Sequence, residues 1–268
     1  PYRPGKIPVV LVHGTASSAG RWAQMINELL NDRRIRERYQ FWLFSYNTGN
    51  PIPYSAMLLR ESLSNTVMQL DPNGTDPALQ HMVVIGHSQG GLLTKMTAIE
   101  SDNKFWDDIS TKPFAEIDVS EQTRDILRRT MFVHPLPTVG RVVFIATPQH
   151  GSYFAGSRLA HWTARFITLP LDIVHVGTDF GLRNKQAVAF ADMGSLPTAV
   201  DNMTPGTRFI KALAATPVAP GVAAHSIIAV DGNGAVEDGD DGIVEYQSAH
   251  IDGVESELVV CSGPSCQA

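Results

Sequence analysis

The chain has 268 residues, of which 43% are hydrophobic and 18% are charged, and its formal net charge is −6 at pH 7. These values predict one globular domain with a sizeable core. No run of about five basic residues occurs, so there is no reason to expect a nucleic-acid partner. No stretch of roughly 18 consecutive apolar residues is present, so no membrane span is expected, and no signal peptide is visible before the first apolar run.

Six apolar runs predict β-strands. They are rich in Val, Ile and Phe and mostly lack polar alternation, which is typical of strands buried on both faces of a parallel sheet. In chain order they lie at 7–12, 40–46, 81–86, 141–146, 225–230 and 257–261. Helical spacing of apolar residues predicts helices at 21–31, 55–70, 90–100 and 121–131. The alternation predicts an α/β fold with a mostly parallel sheet of about six strands, helices on both faces, and catalytic groups at the carboxyl ends of the strands.

A polar loop of small residues follows the first strand. The segment IPVVLVHGT ends in His13 and Gly14, and the loop continues from Thr15 to Gly20. A backbone N–H in such a loop, here that of Thr15, can stabilise the oxyanion that develops in acyl transfer. His13 is expected to shape this loop rather than to carry a proton.

The third strand leads into the most informative motif of the chain. Residues 86–90 read Gly-His-Ser-Gln-Gly, a G-x-S-x-G pattern that stands between a predicted strand and a predicted helix. In that setting the turn is tight, the glycines avoid clashes, and the serine hydroxyl is held above the sheet. Ser88 is therefore predicted to be a nucleophile, with the Gln89 N–H as the second oxyanion donor. The alternative is a glycine-rich turn with a buried serine.

Two long intervals, 101–140 and 151–224, interrupt the alternation. The second leaves the sheet after the fourth strand at TPQHGS, on the side where the site is expected, and it is rich in Trp, Phe, Leu and Ile. A structureless loop of that length is improbable in a compact domain. We interpret 151–224 as a cap or lid inserted in a single domain of residues 1–268. The alternative is a set of peripheral helices packed on the sheet.

An acidic loop follows the fifth strand. A serine nucleophile needs a base oriented by a carboxylate, and the expected chain order is Ser, acid, His. Asp241 stands directly before the chain resumes an apolar run and is predicted to be the acid, with Asp240 as the next candidate. A solvated acidic loop is the alternative. An EF-hand calcium site is not expected, because the spacing fails at Val236 and Gly242.

The general base is unresolved. It is expected after the last strand, yet residues 262–268 contain no histidine. His250 is the candidate best placed in chain order, although it precedes that strand. The alternatives are a histidine beyond Ala268 and a site without a base. Cys261 and Cys266 could form a small disulfide loop, and no metal site is expected.

Several segments together resemble a known group: VVLVHGTASSAGRW, VVIGHSQGG, IATPQHGS, and the late DGIV and YQSAH. They look like α/β-hydrolase lipases and esterases, above all bacterial triacylglycerol lipases of the Pseudomonas/Burkholderia type and related hydrolases with G-H-S-Q-G-G elbows. The resemblance runs from Val9 to about Val260. It implies Ser88 as nucleophile and Asp241 as acid. In similar sequences the last strand continues Ser-Gly-His-Ser, which implies that Pro264 occupies the position of the base.

These observations predict a serine hydrolase of carboxylic esters, lipase- or esterase-like, that works through an acyl-enzyme on Ser88 without a cofactor. Small ester or lipid molecules are the expected partners, with transient contact with a lipid surface. The resemblance favours a secreted or periplasmic protein. Two other functions remain open: an acyltransferase, in which an alcohol replaces water, and a binding protein whose catalysis is impaired by Pro264.

Overall fold

The computed structural model describes residues 2–152, 169–184, 198–231 and 235–262. Its centre is a six-stranded sheet in the order β2-β1-β3-β4-β5-β6, and every neighbouring pair is parallel. The strands are β1 (Ile7–Val12), β2 (Tyr39–Phe44), β3 (Met82–His87), β4 (Val139–Ile145), β5 (Ala223–Val230) and β6 (Ser256–Cys261). The predicted α/β class is confirmed, and each strand lies where the sequence predicts it.

Parallel pairing brings the carboxyl ends of the strands to one edge of the sheet. Val12 at the end of β1 lies opposite Gly86 of β3, and His87 at the end of β3 lies opposite Ile145 of β4. The loops that follow β1, β3 and β4 therefore start side by side, although they are far apart in the sequence.

Helices cover the sheet and lie in the described parts of the long intervals. They are α1 (Ala23–Asn31), α2 (Arg33–Arg38), α3 (Ile52–Leu70), α4 (Gln89–Lys95), α5 (Lys104–Ile109), α6 (Glu121–Met131), α7 (Leu171–Arg183), α8 (Ala199–Met203), α9 (Arg208–Ala215) and α10 (Tyr246–Ala249). Ser120 caps α6, because its hydroxyl accepts a hydrogen bond from the Thr123 N–H.

Alternate residues of β1 show why two helical layers form. Val9 and Leu11 pack with Trp22 in a small cluster on one face. Val10 and Val12 belong to the main core on the other face, which also contains residues of α3 and α4. A strand that buries both faces has no polar side to show, and this explains the missing polar alternation in the sequence.

The helix α4 follows the turn at Ser88, which we call the elbow, and it ends at Lys95, well before its predicted end at residue 100. The N–H groups of Thr97 and Ala98 donate to carbonyls three residues earlier, at 3.0 and 2.9 Å, and this tighter pattern closes the last turn of a helix. Met96 and Ile99 are nevertheless fully buried. The apolar spacing thus predicted burial correctly beyond the point where the helix stops.

Part of the predicted cap, 151–224, packs beside α3 and α6. Ile173 of α7 lies in a cluster with Tyr54 of α3, and Phe180 packs against Trp106 at a ring-centroid distance of 5.6 Å. The segments of the cap that lie outside the described residues are 153–168 and 185–197. Within the described part of the chain, no helix is long and apolar enough to cross a membrane.

Candidate active site

Ser88 occupies a strained turn between β3 and α4. Its φ is 53° and its ψ is −127°, a conformation that L-residues rarely adopt and that costs about 1–3 kcal/mol. Hydrogen bonds fix the turn on both sides: the Ser88 N–H donates to the Ile145 carbonyl at 2.9 Å, and the Gly91 N–H donates to the Ser88 carbonyl at 2.9 Å. Strain held in place in this way is typical of functional positions.

Three glycines allow this turn to pack closely. A Cβ on Gly86 would overlap the Gly90 carbonyl, and a Cβ on Gly90 would overlap the Val12 carbonyl. A Cβ on Gly91 would overlap the side chain of Thr147, which follows β4. The glycines of the motif are therefore required by contacts with the helix, with β1 and with the loop after β4.

The loop after β1 lies directly against the serine. A Cβ placed on Gly14 would be 2.8 Å from the Ser88 Cβ, so only glycine fits there. Among the hydrogen bonds of the described residues, none uses the backbone N–H of Thr15 or of Gln89 as donor. Both N–H groups are thus unpaired among the described residues, as the predicted role of oxyanion donor requires.

The side chain of Gln89 joins these two donor segments, a feature that sequence reasoning missed. Its Oε1 accepts a hydrogen bond from the Thr15 hydroxyl at 2.6 Å, and its Nε2 donates to the Thr48 carbonyl at 3.1 Å. Gln89 is completely buried. No spacing rule signals this contact, because it joins loops that follow three different strands.

His13 lies at the base of the same loop. Its side chain is 3% exposed, its ring stacks on Tyr46 at 4.7 Å between centroids, and its Nδ1 lies 3.1 Å from the Gly14 carbonyl. The Tyr46 hydroxyl donates to the His13 carbonyl at 2.9 Å. His13 therefore contributes to the shape of the loop.

The Asp241 carboxylate is held by the turn that follows it. Its Oδ1 accepts hydrogen bonds from the N–H groups of Ile243, at 2.9 Å, and Val244, at 2.7 Å. The Ser152 hydroxyl, after β4, donates to the Ile243 carbonyl. Asp240 instead accepts from the Gly242 N–H at 2.6 Å. One Asp241 oxygen is thus fixed by the backbone of the loop after β5, and Ser152 joins this loop to the segment after β4, the strand next to β3.

His87 links the acid loop to the elbow electrostatically. Burial is the main cause that lowers the pKa of His87, the positive charge of Arg21 adds to it, and the negative charge of Asp241 opposes it. The His87 ring lies edge-on to Trp22, with its Nδ1 buried and unpaired. The Asp241 charge therefore acts on the residue that precedes Ser88, while the His87 ring is packed against the α1 side of the sheet.

His250 is paired elsewhere. Its Nδ1 lies 2.7 Å from Glu257 Oε2, and its Nε2 lies 3.4 Å from Asp252 Oδ1. The hydrogen bond with Glu257 is the largest cause that raises the pKa of His250. Glu257 stands opposite Ser226 in the sheet, towards the amino ends of β5 and β6. Both ring nitrogens of His250 thus lie near carboxylates, and among the described hydrogen bonds neither is bonded to Ser88.

Pro264 and Cys266 lie outside the described residues, and Cys261 is disulfide-bonded. Among the residues that the structure describes, no histidine is hydrogen-bonded to Ser88, and no group of three or more His, Cys, Asp or Glu side chains could hold a metal ion. The described part of the candidate site therefore contains Ser88, Asp241 and the N–H groups of Thr15 and Gln89, which the sequence predicts as nucleophile, acid and oxyanion donors.

No protein-family model matches the sequence, and no curated protein matches it. Solved structures do. The lipase BlEst2 of Bacillus licheniformis in its mature form has a TM-score of 0.53 and 15% identity, over 96% of this chain and 84% of that chain. The lipase of Staphylococcus hyicus has a TM-score of 0.55 and 14% identity, over 97% and 88%.

Phospholipase PlaB of Legionella pneumophila is also similar, with a TM-score of 0.54 and 15% identity. The match covers 91% of this chain and 46% of that chain. Likenesses at such low identity establish the fold. The parallel sheet, the strand–turn–helix around Ser88 and these similarities identify the chain as a protein with the α/β-hydrolase fold, as found in bacterial lipases and esterases.

Proposed function

We propose that this chain is a serine hydrolase of carboxylic esters with Ser88 as its nucleophile. The observation that carries the proposal is the backbone of Ser88, held at a positive φ directly against the glycine loop after β1. Such strain in a serine has no evident structural purpose. It is expected of a nucleophile on the turn after the central strand of an α/β-hydrolase sheet.

The proposed chemistry has two halves. The Ser88 Oγ attacks the ester carbonyl, its proton passes to a base, and the tetrahedral oxyanion accepts hydrogen bonds from the N–H groups of Thr15 and Gln89. Collapse of the intermediate expels the alcohol, which takes up the proton. Water then attacks the acyl-enzyme by the same route and releases the acid. Asp241 would orient the base and stabilise its protonated form.

This scheme assigns no described residue as the general base. We propose that Pro264 occupies its position, which leaves the 268-residue chain a poor catalyst. His250 is a poor replacement, because both of its ring nitrogens lie near carboxylates, at Glu257 and Asp252. A histidine beyond Ala268 is the alternative source.

The proposed substrate is an ester with an apolar acyl chain, and the proposed partner is a lipid surface. Leu171, Val174 and Leu182 of α7 are 78%, 45% and 62% exposed, and the helical repeat places them on one side of the helix. An exposed apolar helix face within the proposed cap, 151–224, suits contact with aggregated lipid. Structural similarity to solved lipases supports the proposal of a lipid substrate.

One observation favours a second candidate. No described histidine is hydrogen-bonded to Ser88, which suits an α/β-hydrolase-fold binding protein that retains the elbow but has lost turnover. An acyltransferase would use the same residues, and competition between water and an added alcohol for the acyl-enzyme separates it from a hydrolase.

The proposal is tested by turnover of p-nitrophenyl esters by the chain and by its Pro264→His and His250→Ala variants. We expect slow turnover by the chain, a gain of about 10²–10⁴-fold in Pro264→His because a general base contributes that much, and no loss in His250→Ala. Fast turnover by the chain that His250→Ala abolishes would contradict the assignment of the base. Absence of turnover in every variant, despite a native fold, would favour the binding protein.

A further inference from the structure

We infer that the Gln89 side chain is a positioning residue that sets the distance between the two oxyanion donors. This inference rests on the proposed function and extends it, since so far only the backbone N–H of Gln89 has been given a part. The side chain would act through the Thr15 loop and would not touch the substrate.

The contacts form a closed ring of three segments. The Thr15 hydroxyl donates to Gln89 Oε1 at 2.6 Å, and Gln89 Nε2 donates to the Thr48 carbonyl at 3.1 Å. The Ala16 N–H donates to the Thr48 hydroxyl at 3.2 Å. The ring therefore joins the elbow helix, the loop after β1 and the loop after β2, and it encloses the peptide between Thr15 and Ala16.

The amide of Gln89 can take only one orientation in this ring. The Thr48 carbonyl is only an acceptor, so the group that faces it must be the NH₂ of the amide. The Oε1 then faces Thr15, whose hydroxyl can donate. Because Gln89 is fully buried, either bond is costly to lose, and the amide resists rotation.

The loop has few other anchors near the serine. Gly14 has no side chain, and Ala16 adopts a φ of 52°, which an L-residue holds only under constraint. Thr15 stands between them and carries the proposed donor. Its hydroxyl bond to Gln89 is thus the link that ties this N–H to the N–H of the elbow itself.

Loss of this link should affect the transition state more than substrate binding. The oxyanion exists only while the carbonyl is tetrahedral, so a displaced donor lowers kcat and leaves KM nearly unchanged. Complete loss of one oxyanion donor costs about 10²–10³ in kcat. A donor that is only loosened should cost roughly tenfold to a hundredfold.

The test compares Thr15→Val, Gln89→Met and the double variant, each made in the Pro264→His protein so that turnover is measurable. Thr15→Val removes the donated hydrogen bond at a partly exposed position, so it folds even if Gln89→Met does not. Gln122→Met, at an exposed glutamine of α6, is the matched control. We expect both single variants to lower kcat about tenfold or more with KM unchanged, and the double variant to resemble either single one, because both remove the same bond.

Amide hydrogen exchange at Ala16 gives a second readout that does not depend on catalysis. Its N–H closes the ring, so Thr15→Val should accelerate its exchange by about tenfold, while Gln122→Met should not change it. Faster exchange in a protein that shows no turnover and no covalent adduct at Ser88 would support the positioning role and overturn the proposed function. Unchanged exchange and unchanged kcat in Thr15→Val would overturn the positioning role.

Discussion

The backbone of Ser88 depends on the smallness of its neighbours. Gly91 is the clearest case, because it lies inside α4, where glycine is otherwise unfavourable, and a Cβ there would overlap Thr147. Close packing between α4 and the loop after β4 therefore requires a residue without a Cβ at position 91. That loop also contacts the turn after Asp241, because the Ser152 hydroxyl donates to the Ile243 carbonyl.

Gly91→Ala is expected to destabilise the protein by about 1–3 kcal/mol, as overpacking of a close contact does. Gly181→Ala, in α7, is the control: nothing lies within 4 Å of its added Cβ, so it should be neutral or stabilising by up to about 1 kcal/mol. Urea unfolding measures both. Equal effects at the two glycines would show that helix propensity alone governs these positions.

At the level of single residues, the sequence predicts those groups whose chemistry is local. Ser88 and its glycines lie within six residues of one another, so their spacing identifies the turn. The hydrogen bonds around the Gln89 side chain join segments that follow three different strands, and only the sheet order brings these segments together. Chain order made His250 a candidate base, but its carboxylate partners could not be inferred from that order.

Among the elements, α7 has two contrasting sides. One side packs on α3 and α6 through Ile173, Val176 and Phe180. The other exposes Leu171 and Leu182. An amphipathic helix normally turns polar residues to water, so the exposed leucines on the outer side support the proposed contact with a lipid surface.

Leu171→Ser combined with Leu182→Ser should weaken binding to phospholipid vesicles by about tenfold or more, since each buried leucine is worth about 1.5–3 kcal/mol. Turnover of short soluble esters should be unaffected. Leu258→Ser is the matched control, because Leu258 is 56% exposed on β6, at the edge of the sheet. Vesicle co-sedimentation checks the prediction, and equal weakening by the control would contradict a specific contact through α7.

Element boundaries were predicted less well than element identities. The strands follow from unbroken apolar runs, but α4 ends early because turn hydrogen bonds replace helical ones after Lys95. Apolar periodicity continues through such a turn, since residues beyond it still face the core. The pattern therefore marks which side chains are buried and not how the backbone is hydrogen-bonded.

In the molecule as a whole, one charged side chain is fully buried and forms no ion pair with another described residue. Lys95 of α4 is completely buried, and its Nζ donates to the Ala214 carbonyl of α9 at 3.3 Å. Burial lowers the pKa of Lys95 to about 8. Its positive charge also helps to lower the pKa of His150, after burial itself.

This buried lysine predicts a pH-dependent stability. Below about pH 8 the amine is protonated in the folded and unfolded chain, so the folded protein bears the full cost of burying the charge. Between about pH 8 and 10.5 the folded chain has lost this proton while the unfolded chain retains it, so stability rises with pH.

Lys95→Met removes the charge and should therefore be more stable than the unmodified protein at neutral pH. That advantage should shrink by roughly 3 kcal/mol as the pH rises to about 10, because one pKa unit corresponds to about 1.4 kcal/mol. Urea unfolding of both proteins across this range checks the prediction. A stability difference that stays constant with pH would show that Lys95 is not deprotonated in the folded state.

Ser88 is the proposed nucleophile, and covalent labelling with a fluorophosphonate tests this role most directly. Mass spectrometry of digested protein should find one adduct, on the peptide that contains Ser88, with faster labelling in Pro264→His. Ser88→Ala should lose the adduct while its stability stays within about 1 kcal/mol. An adduct that persists in Ser88→Ala, or the absence of any adduct on Ser88 in both the chain and Pro264→His, would contradict the account.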